Sequence, residues 1–253
     1  MRRSHHGGRH ELGQNFLTHK PTVSRIATVV AGTSGSILEI GAGGGALTGS
    51  LARLGRPLTA IDIDEHRVGQ LRRRLRGVEI LQADAMRHPL DANVVVGNIP
   101  FHITTPLLRR LLQRRNWRSA VLLTQWEVAR KRAGVGGSTM MSAQAAPWFE
   151  FSLEMRVPAW AFTPKPSVDG GVLRIERRES PLIPLSQRRG YEAFVKTVFT
   201  GRGGSLAASV GGAARVPTKT AKRALRDAGV RGEARLRDLA PEHWAGLWQR
   251  VQR

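Results

Sequence analysis

Between Ile37 and Ile175, short apolar runs rich in β-branched residues alternate with stretches whose apolar residues recur three and four apart. This alternation restricts the fold more than any other feature of the chain. SILEI ends at Ile40, LTAIDI ends at Ile63, VEILQ follows Gly77, NVVVG follows Ala92 and AVLLT follows Ser119. Between them lie ALTGSLARL, EHRVGQLRRRL and TPLLRRLLQRR, each with one apolar face. Strand and helix in strict alternation build a parallel sheet covered by helices, and continuous apolar strands are those buried on both faces. FEFSLEMRV and GGVLRIERR have no helix between them and close the series as a hairpin-like pair. The expectation is an α/β fold with a seven-stranded, mostly parallel sheet.

From Pro181 the character changes. Leu182–Arg253 carries 14 Lys and Arg against 5 Asp and Glu, a net +9 in 72 residues, and offers helical stretches such as YEAFVKTVF and TKTAKRALRDAG but no strand. Residues 1–178 are therefore expected to form the α/β domain and 179–253 a small, basic α-helical domain. The whole chain, 253 residues with 40 Lys and Arg against 19 Asp and Glu, has a formal charge of +21. A balance this far from zero points to a polyanionic partner. The Arg residues are spread through helices and loops and form no single amphipathic anchor, which favours nucleic acid over a membrane surface. Without cysteine, disulfides and thiolate chemistry are excluded, and no metal is expected. No apolar run approaches the roughly 20 residues a membrane span needs, and the start, MRRSHHGGRHELGQNF, lacks the apolar core of a secretory signal. A cytoplasmic protein is expected.

ILEIGAGGGALT sets a glycine cluster between a buried strand and a helix. Gly41, Gly43 and Gly45 permit a tight turn and close approach of a ligand. The string also fits the dinucleotide fingerprint, with Ala46 in last place and Asp62 about 20 residues on, so a dehydrogenase is a competing reading. The spacing G-x-G-x-G after acidic Glu39 resembles the first motif of Rossmann-like methyltransferases that use S-adenosylmethionine. Asp62 ends the second strand, where a carboxylate can accept from ribose hydroxyls, and Asp84 follows the third, on the adenine side. Strand ends carrying Gly, Asp and Asp converge on one carboxyl edge, where open α/β sheets bind ligands. Asp64 reads instead as a helix cap.

The next strand ends in VVVGNIPF. An exocyclic amine of a base is a poor nucleophile because its lone pair is delocalised into the ring. Two acceptors that hold its N–H groups turn the lone pair toward an activated methyl group. Asn98 offers a side-chain carbonyl without adding charge, and the Ile99 carbonyl can be the second acceptor. Pro100 restricts Ile99 to extended conformations, and Phe101 presents a face for stacking the target base. NIPF resembles the [DNS]-[IP]-P-[YFW] motif of amine-directed base methyltransferases. The arrangement would catalyse by positioning and electrostatics.

RHELGQNFL, EIGAGGGALT, AIDID, NIPFHITTPLL and FTPKPSVDGG occur in the order found in the Erm rRNA methyltransferases, and the resemblance runs over about the first 178 residues. It implies a Rossmann-like class I methyltransferase with a C-terminal helical domain. The implied reaction is S-adenosylmethionine-dependent N6-methylation of one unpaired adenosine in 23S rRNA or a large-subunit precursor, with S-adenosylhomocysteine as product. Resistance to macrolides, lincosamides and streptogramin B, and a monomeric protein, are implied with it. By the same resemblance Gln14, Asn15 and Leu17 lie beside the methionine part of the cofactor. Gly41 and Gly43 form the glycine loop, Asp62 and Ile63 touch ribose and adenine, Asp84 and Ala85 the adenine side, and Asn98, Ile99, Pro100 and Phe101 the reacting amine. Phe162 would flank the target base, with Lys165 nearby for phosphate. Asp62 stands where many relatives have Glu, and Phe101 where many have Tyr.

The sister family that dimethylates adjacent adenosines of small-subunit rRNA usually reads NLPY in the catalytic loop, so NIPF and LGQNFL favour the large-subunit enzyme. A non-enzymatic nucleic-acid-binding protein on the same fold is a further alternative. RNA would be reached through Arg109, Arg110, Arg114, Arg115 and Arg118, with Arg130, Lys131 and Arg132 and the N-terminal Arg2, Arg3 and Arg9. A looped or bulged adenosine costs least to unstack.

Overall fold

The computed structural model describes residues 15–201 and 203–252. A two-residue strand, β1 (Phe16–Leu17), precedes α1 (Lys20–Ala31). The alternation read from the sequence then follows: β2 (Ile37–Ile40), α2 (Ala46–Ala52), β3 (Leu58–Asp62), α3 (Glu65–Arg74), β4 (Glu79–Gln82), β5 (Val94–Asn98), α4 (Thr104–Gln113) and β6 (Ser119–Gln125). Next come α5 (Trp126–Arg132), α6 (Met140–Ala145), β7 (Phe149–Val157), the short β8 (Phe162–Thr163) and β9 (Gly170–Arg177). Four helices end the chain: α7 (Arg188–Thr200), α8 (Leu206–Ala214), α9 (Thr218–Asp227) and α10 (Pro241–Val251).

Seven strands form one sheet in the order β4-β3-β2-β5-β6-β9-β7. The run from β4 to β6 is parallel throughout, and the pair expected to close the series, β7 and β9, lies side by side at the β6 edge. The order reverses between β2 and β5, so the carboxyl ends of β2, β3 and β5 border one crevice. Val94, Val95 and Val96 are fully buried, as strands covered on both faces must be. Gly97 sits opposite Ile40 in the register, and a Cβ there would collide with the Ile40 carbonyl oxygen. Only glycine lets β5 approach β2 this closely. Asp64 caps α3 by accepting from the Arg67 N–H at 3.2 Å, as its position suggested.

The chain packs as two units. One comprises the described residues up to Ala129 together with Leu153–Ile175; the other comprises Arg130–Ser152 and Glu176 onward. The grouping thus departs from a boundary at 178/179, because Arg130–Ser152 packs with the C-terminal helices. The reason is an aromatic core. The Trp148 and Tyr191 rings meet edge to face at 5.5 Å, and those of Tyr191 and Trp248 at 5.9 Å. The buried Tyr191 hydroxyl donates to the Ala143 carbonyl at 2.8 Å, and Trp148 Nε1 donates to the Ile183 carbonyl at 2.9 Å. Among the described residues no helix is long and apolar enough to cross a membrane.

Candidate active site

Three adjoining hollows follow the carboxyl edge of β2, β3 and β5, and Gly41 borders all of them. The largest, about 630 Å³, is lined by Phe16, Leu17, Glu39, the glycine loop and Asn98. A narrow one joins Asn15, Phe16, Asp62 and the run from Asn98 to Phe101. The third, about 130 Å³, is apolar and lies among Ile63, Asp84, Ala85 and Ile103. Together they form a trough that matches an elongated ligand with a polar, charged end and a flat ring end.

The glycine loop is held by Asp62. Gly41 and Gly43 take φ of 72° and 53°, a region that favours glycine. The Gly43 N–H donates to Asp62 Oδ2 at 2.7 Å, and the Asp64 N–H donates to Asp62 Oδ1 at 2.9 Å. Asp62 is buried, so this carboxylate first shapes the loop and reaches a ribose only with its remaining lone pairs. Asp84 is similarly engaged, since its Oδ1 accepts from the Met86 N–H at 2.8 Å and orders the turn that carries Ala85.

At the end of β5 the Asn98 side-chain N–H donates to the Asn15 carbonyl at 2.7 Å. That bond defines the amide orientation and leaves Oδ1 as the acceptor for a ligand. Ile99 is pinned by its N–H to the Leu123 carbonyl at 2.9 Å and by its buried side chain. Pro100 is extended, and Phe101 opens a 3₁₀ turn with its ring half-exposed on the trough. In the segment expected beside the methionine part, Asn15 orients Asn98 through its backbone. Leu17 is buried and lines the large hollow; Gln14 lies outside the described residues, as do Arg2, Arg3 and Arg9.

Glu39 is 1 % exposed, and its Oε2 has no hydrogen-bond partner among the described residues. Burial pushes its carboxyl up to about 8; Thr48 draws it back and the Asp62 charge adds to the rise. A buried, unmatched carboxyl bordering the large hollow suits a cationic ligand, and S-adenosylmethionine carries a sulfonium and an ammonium. The residues present fit that cofactor. Among the described residues no group of three or more His, Cys, Asp or Glu is placed to hold a metal ion.

Two expectations need correction. Phe162 does not offer an open stacking face: it is 3 % exposed and packs in the core with Leu17, Leu123 and Val172. Pairing of β8 with β1 turns it inward. Arg110 is not a phosphate arm either. Its guanidinium donates to the carbonyls of Ala85 at 3.1 Å, Arg87 at 3.2 Å and His88 at 2.6 Å, and burial lowers its pKa. Arg109, Arg114 and Lys165 are exposed, and none of them lines the trough.

Two aromatic residues escape a reading of motifs. Phe16, inside GQNFL, crowds Gly43 and carries the Arg67 guanidinium over its ring at 4.1 Å. Trp160 is 62 % exposed, with the His19 ring edge-on at 4.8 Å. An aromatic residue in PAWAF, two positions before the phenylalanine of FTPKP, was the available signal.

The family described as ribosomal RNA adenine dimethylase matches residues 5–253. The mycinamicin-resistance protein MyrB of Micromonospora griseorubida is 48 % identical over 96 % of this chain and 79 % of its own length. An rRNA adenine N-6-methyltransferase of Corynebacterium diphtheriae is 52 % identical over 78 % of this chain and 79 % of its own. Among solved structures, the 23S rRNA methyltransferase ErmE superposes with a TM-score of 0.85 at 34 % identity, covering 94 % of this chain and all of that one. With its trough, its glycine loop and NIPF at the end of β5, the chain belongs to the ribosomal RNA adenine dimethylase family.

Proposed function

We propose that this protein methylates N6 of an unpaired adenosine in 23S rRNA with S-adenosylmethionine as donor, and so confers resistance to macrolide-type antibiotics. The orientation of Asn98 carries the reading: its N–H is committed to the Asn15 carbonyl, so Oδ1 is free to accept from an exocyclic amine. Likeness to ErmE and MyrB supports the choice of large-subunit RNA and of resistance.

Bound S-adenosylmethionine supplies a methyl group on a positively charged sulfur. Asn98 Oδ1 and the Ile99 carbonyl accept the two N–H groups of the adenosine and direct its lone pair out of conjugation. Phe101 stacks the base, a contact worth about 1–3 kcal/mol. After transfer the nitrogen carries a positive charge, which the same oxygens stabilise until a proton leaves to solvent. The neutral amide holds this geometry without attracting the sulfonium, as a carboxylate would. Glu39 faces the cationic end of the donor, and the hollow between Ile63 and Ala85 takes the adenine. Trp160, exposed and against His19 in the turn just before β8, offers an additional base-stacking face. The first packed unit would perform catalysis and the basic second unit would support RNA. A monomer working in the cytoplasm, on ribosomal RNA, fits this role.

The test is transfer of labelled methyl groups to naked 23S rRNA, assembled large subunits and 16S rRNA, with mass spectrometry of the digested product. Methylated adenosine in 23S rRNA is expected. Preferential labelling of 16S rRNA would move the assignment to the small-subunit enzyme, and no labelling of any RNA would remove it.

A further inference from the structure

The first turn of α3 follows the end of β3 by three residues and carries a contact that the chemistry above leaves without a role. The Arg67 guanidinium lies over the Phe16 ring at 4.1 Å, a cation–π contact. The arginine is itself held in place. Its backbone N–H and its Nε both donate to the Asp64 carboxylate at 3.2 Å, and its side chain is 22 % exposed. The same Phe16 ring lies against the glycine loop, where a Cβ on Gly43 would meet it at 3.2 Å.

These contacts close into a ring. The Asp64 N–H donates to Asp62 Oδ1 at 2.9 Å, and Asp62 Oδ2 accepts from the Gly43 N–H at 2.7 Å. Gly43 meets Phe16, Phe16 meets Arg67, and Arg67 returns to Asp64. Only the step from Arg67 to Phe16 rests wholly on side chains. Phe16 borders both the large hollow and the narrow one, as Gly41, Gly43 and Asn98 do, so it stands where the two join. Two turns further along α3, on the same face, Arg74 donates to the Gly44 carbonyl at 2.6 Å. The helix thus grips the glycine loop at two points.

Given the donor assigned above, we propose that Arg67 is a positioning residue for the cofactor: it clamps the Phe16 ring against the glycine loop and so sets how tightly the trough holds S-adenosylmethionine. Arg67 acts through the ring and not by touching the ligand. Without the guanidinium, Phe16 is held by its backbone pairing with Thr163, and its side chain can turn away from Gly43. The loop then loses its cover at the junction of the two hollows. Asn15, which orients Asn98, directly precedes Phe16, so the clamp adjoins the segment that leads to the reacting edge.

Calorimetric titration of the full chain with S-adenosylhomocysteine tests this in the parent, Arg67→Ala, Phe16→Leu, the double variant and Arg67→Lys. Arg67→Ala is expected to weaken binding about 10-fold, the scale of a partly desolvated cation–π contact. In the Phe16→Leu background the same substitution should weaken it less than about 2-fold, because the ring it acts through is gone. Arg67→Lys keeps a cation within reach of the ring and should lose less than about 3-fold, although it gives up the planar fork; it guards against misfolding of Arg67→Ala. Unchanged binding in Arg67→Ala, a loss undiminished in the Phe16→Leu background, or an equal loss in Arg67→Lys would overturn the clamp. A parent chain that binds no S-adenosylhomocysteine would instead remove the cofactor assignment, and the clamp with it.

Discussion

The Asn98 amide is fixed from two sides, by its place at the end of β5 and by the Asn15 carbonyl. Replacing it with alanine removes one acceptor for the amine and leaves the Asn15 carbonyl without its donor. Asn98→Ala is expected to lower the methyl-transfer rate about 10²–10³-fold, the scale of losing one preorganised hydrogen bond to developing charge. Affinity for S-adenosylmethionine should change only a few-fold, and rate and affinity measured side by side on the variant would show it. A parallel loss of both would mean that Asn98 holds the cofactor more than the amine. Asn98 was legible in the sequence because NIPF is a chemical pattern, an amide followed by a restraint and a ring. Phe162 was not, since its family position says nothing about the antiparallel pairing that buries it. Arg110 misled for another reason: on a highly basic chain an arginine on a helix reads as a phosphate contact, whereas three backbone carbonyls claim this one.

Elements that repeat announce themselves, and those that do not stay hidden. The alternation from β2 to β6 is visible because β2, β5 and β6 are mostly apolar runs buried almost throughout. The strands β1 and β8 have two residues each, too few to show a period, yet their pairing fixes the segment that carries Asn15. Two predictions belong here. Gly97→Ala drives a methyl group into the Ile40 carbonyl and pushes β5 from β2; thermal unfolding should show a loss of at least the 1–3 kcal/mol typical of overpacked cores. A stability equal to that of the parent would contradict the close approach. Arg110→Ala frees the loop from Ala85 to His88, of which Ala85 and Met86 line the ring end of the trough. Cofactor binding should weaken several-fold, while the salt dependence of RNA binding stays as it was. Were Arg110 a phosphate contact, the slope of log K against log salt would instead fall by about 0.7.

At the scale of the whole molecule, stability and cofactor binding meet in one buried carboxyl. In the folded chain the Glu39 carboxyl titrates near 8, against 4.5 for the free group. Between those values the native state holds a proton that the unfolded state has released. The contribution of Glu39 to stability is therefore complete below about pH 4.5 and is lost as pH rises through 8. Each unit of the difference is worth about 1.4 kcal/mol, so the effect is large beside the marginal stability of a domain. Glu39→Gln keeps the shape and removes the titration. The stability of this variant relative to the parent is thus expected to rise steadily between pH 5 and 8, when unfolding is followed by denaturant at each pH. A difference independent of pH would show that Glu39 is ionised in the folded chain throughout. The same carboxyl faces the end of the trough assigned to the cationic groups of the cofactor, whose charge favours its ionised form. Binding S-adenosylmethionine at pH 7 should then expel a proton. Calorimetric heats measured in buffers of different ionisation enthalpy would show this release in the parent and not in Glu39→Gln. The cost of burying an unmatched acid would thereby be offset when the ligand arrives, which gives the bound state a wider pH range of stability than the free one.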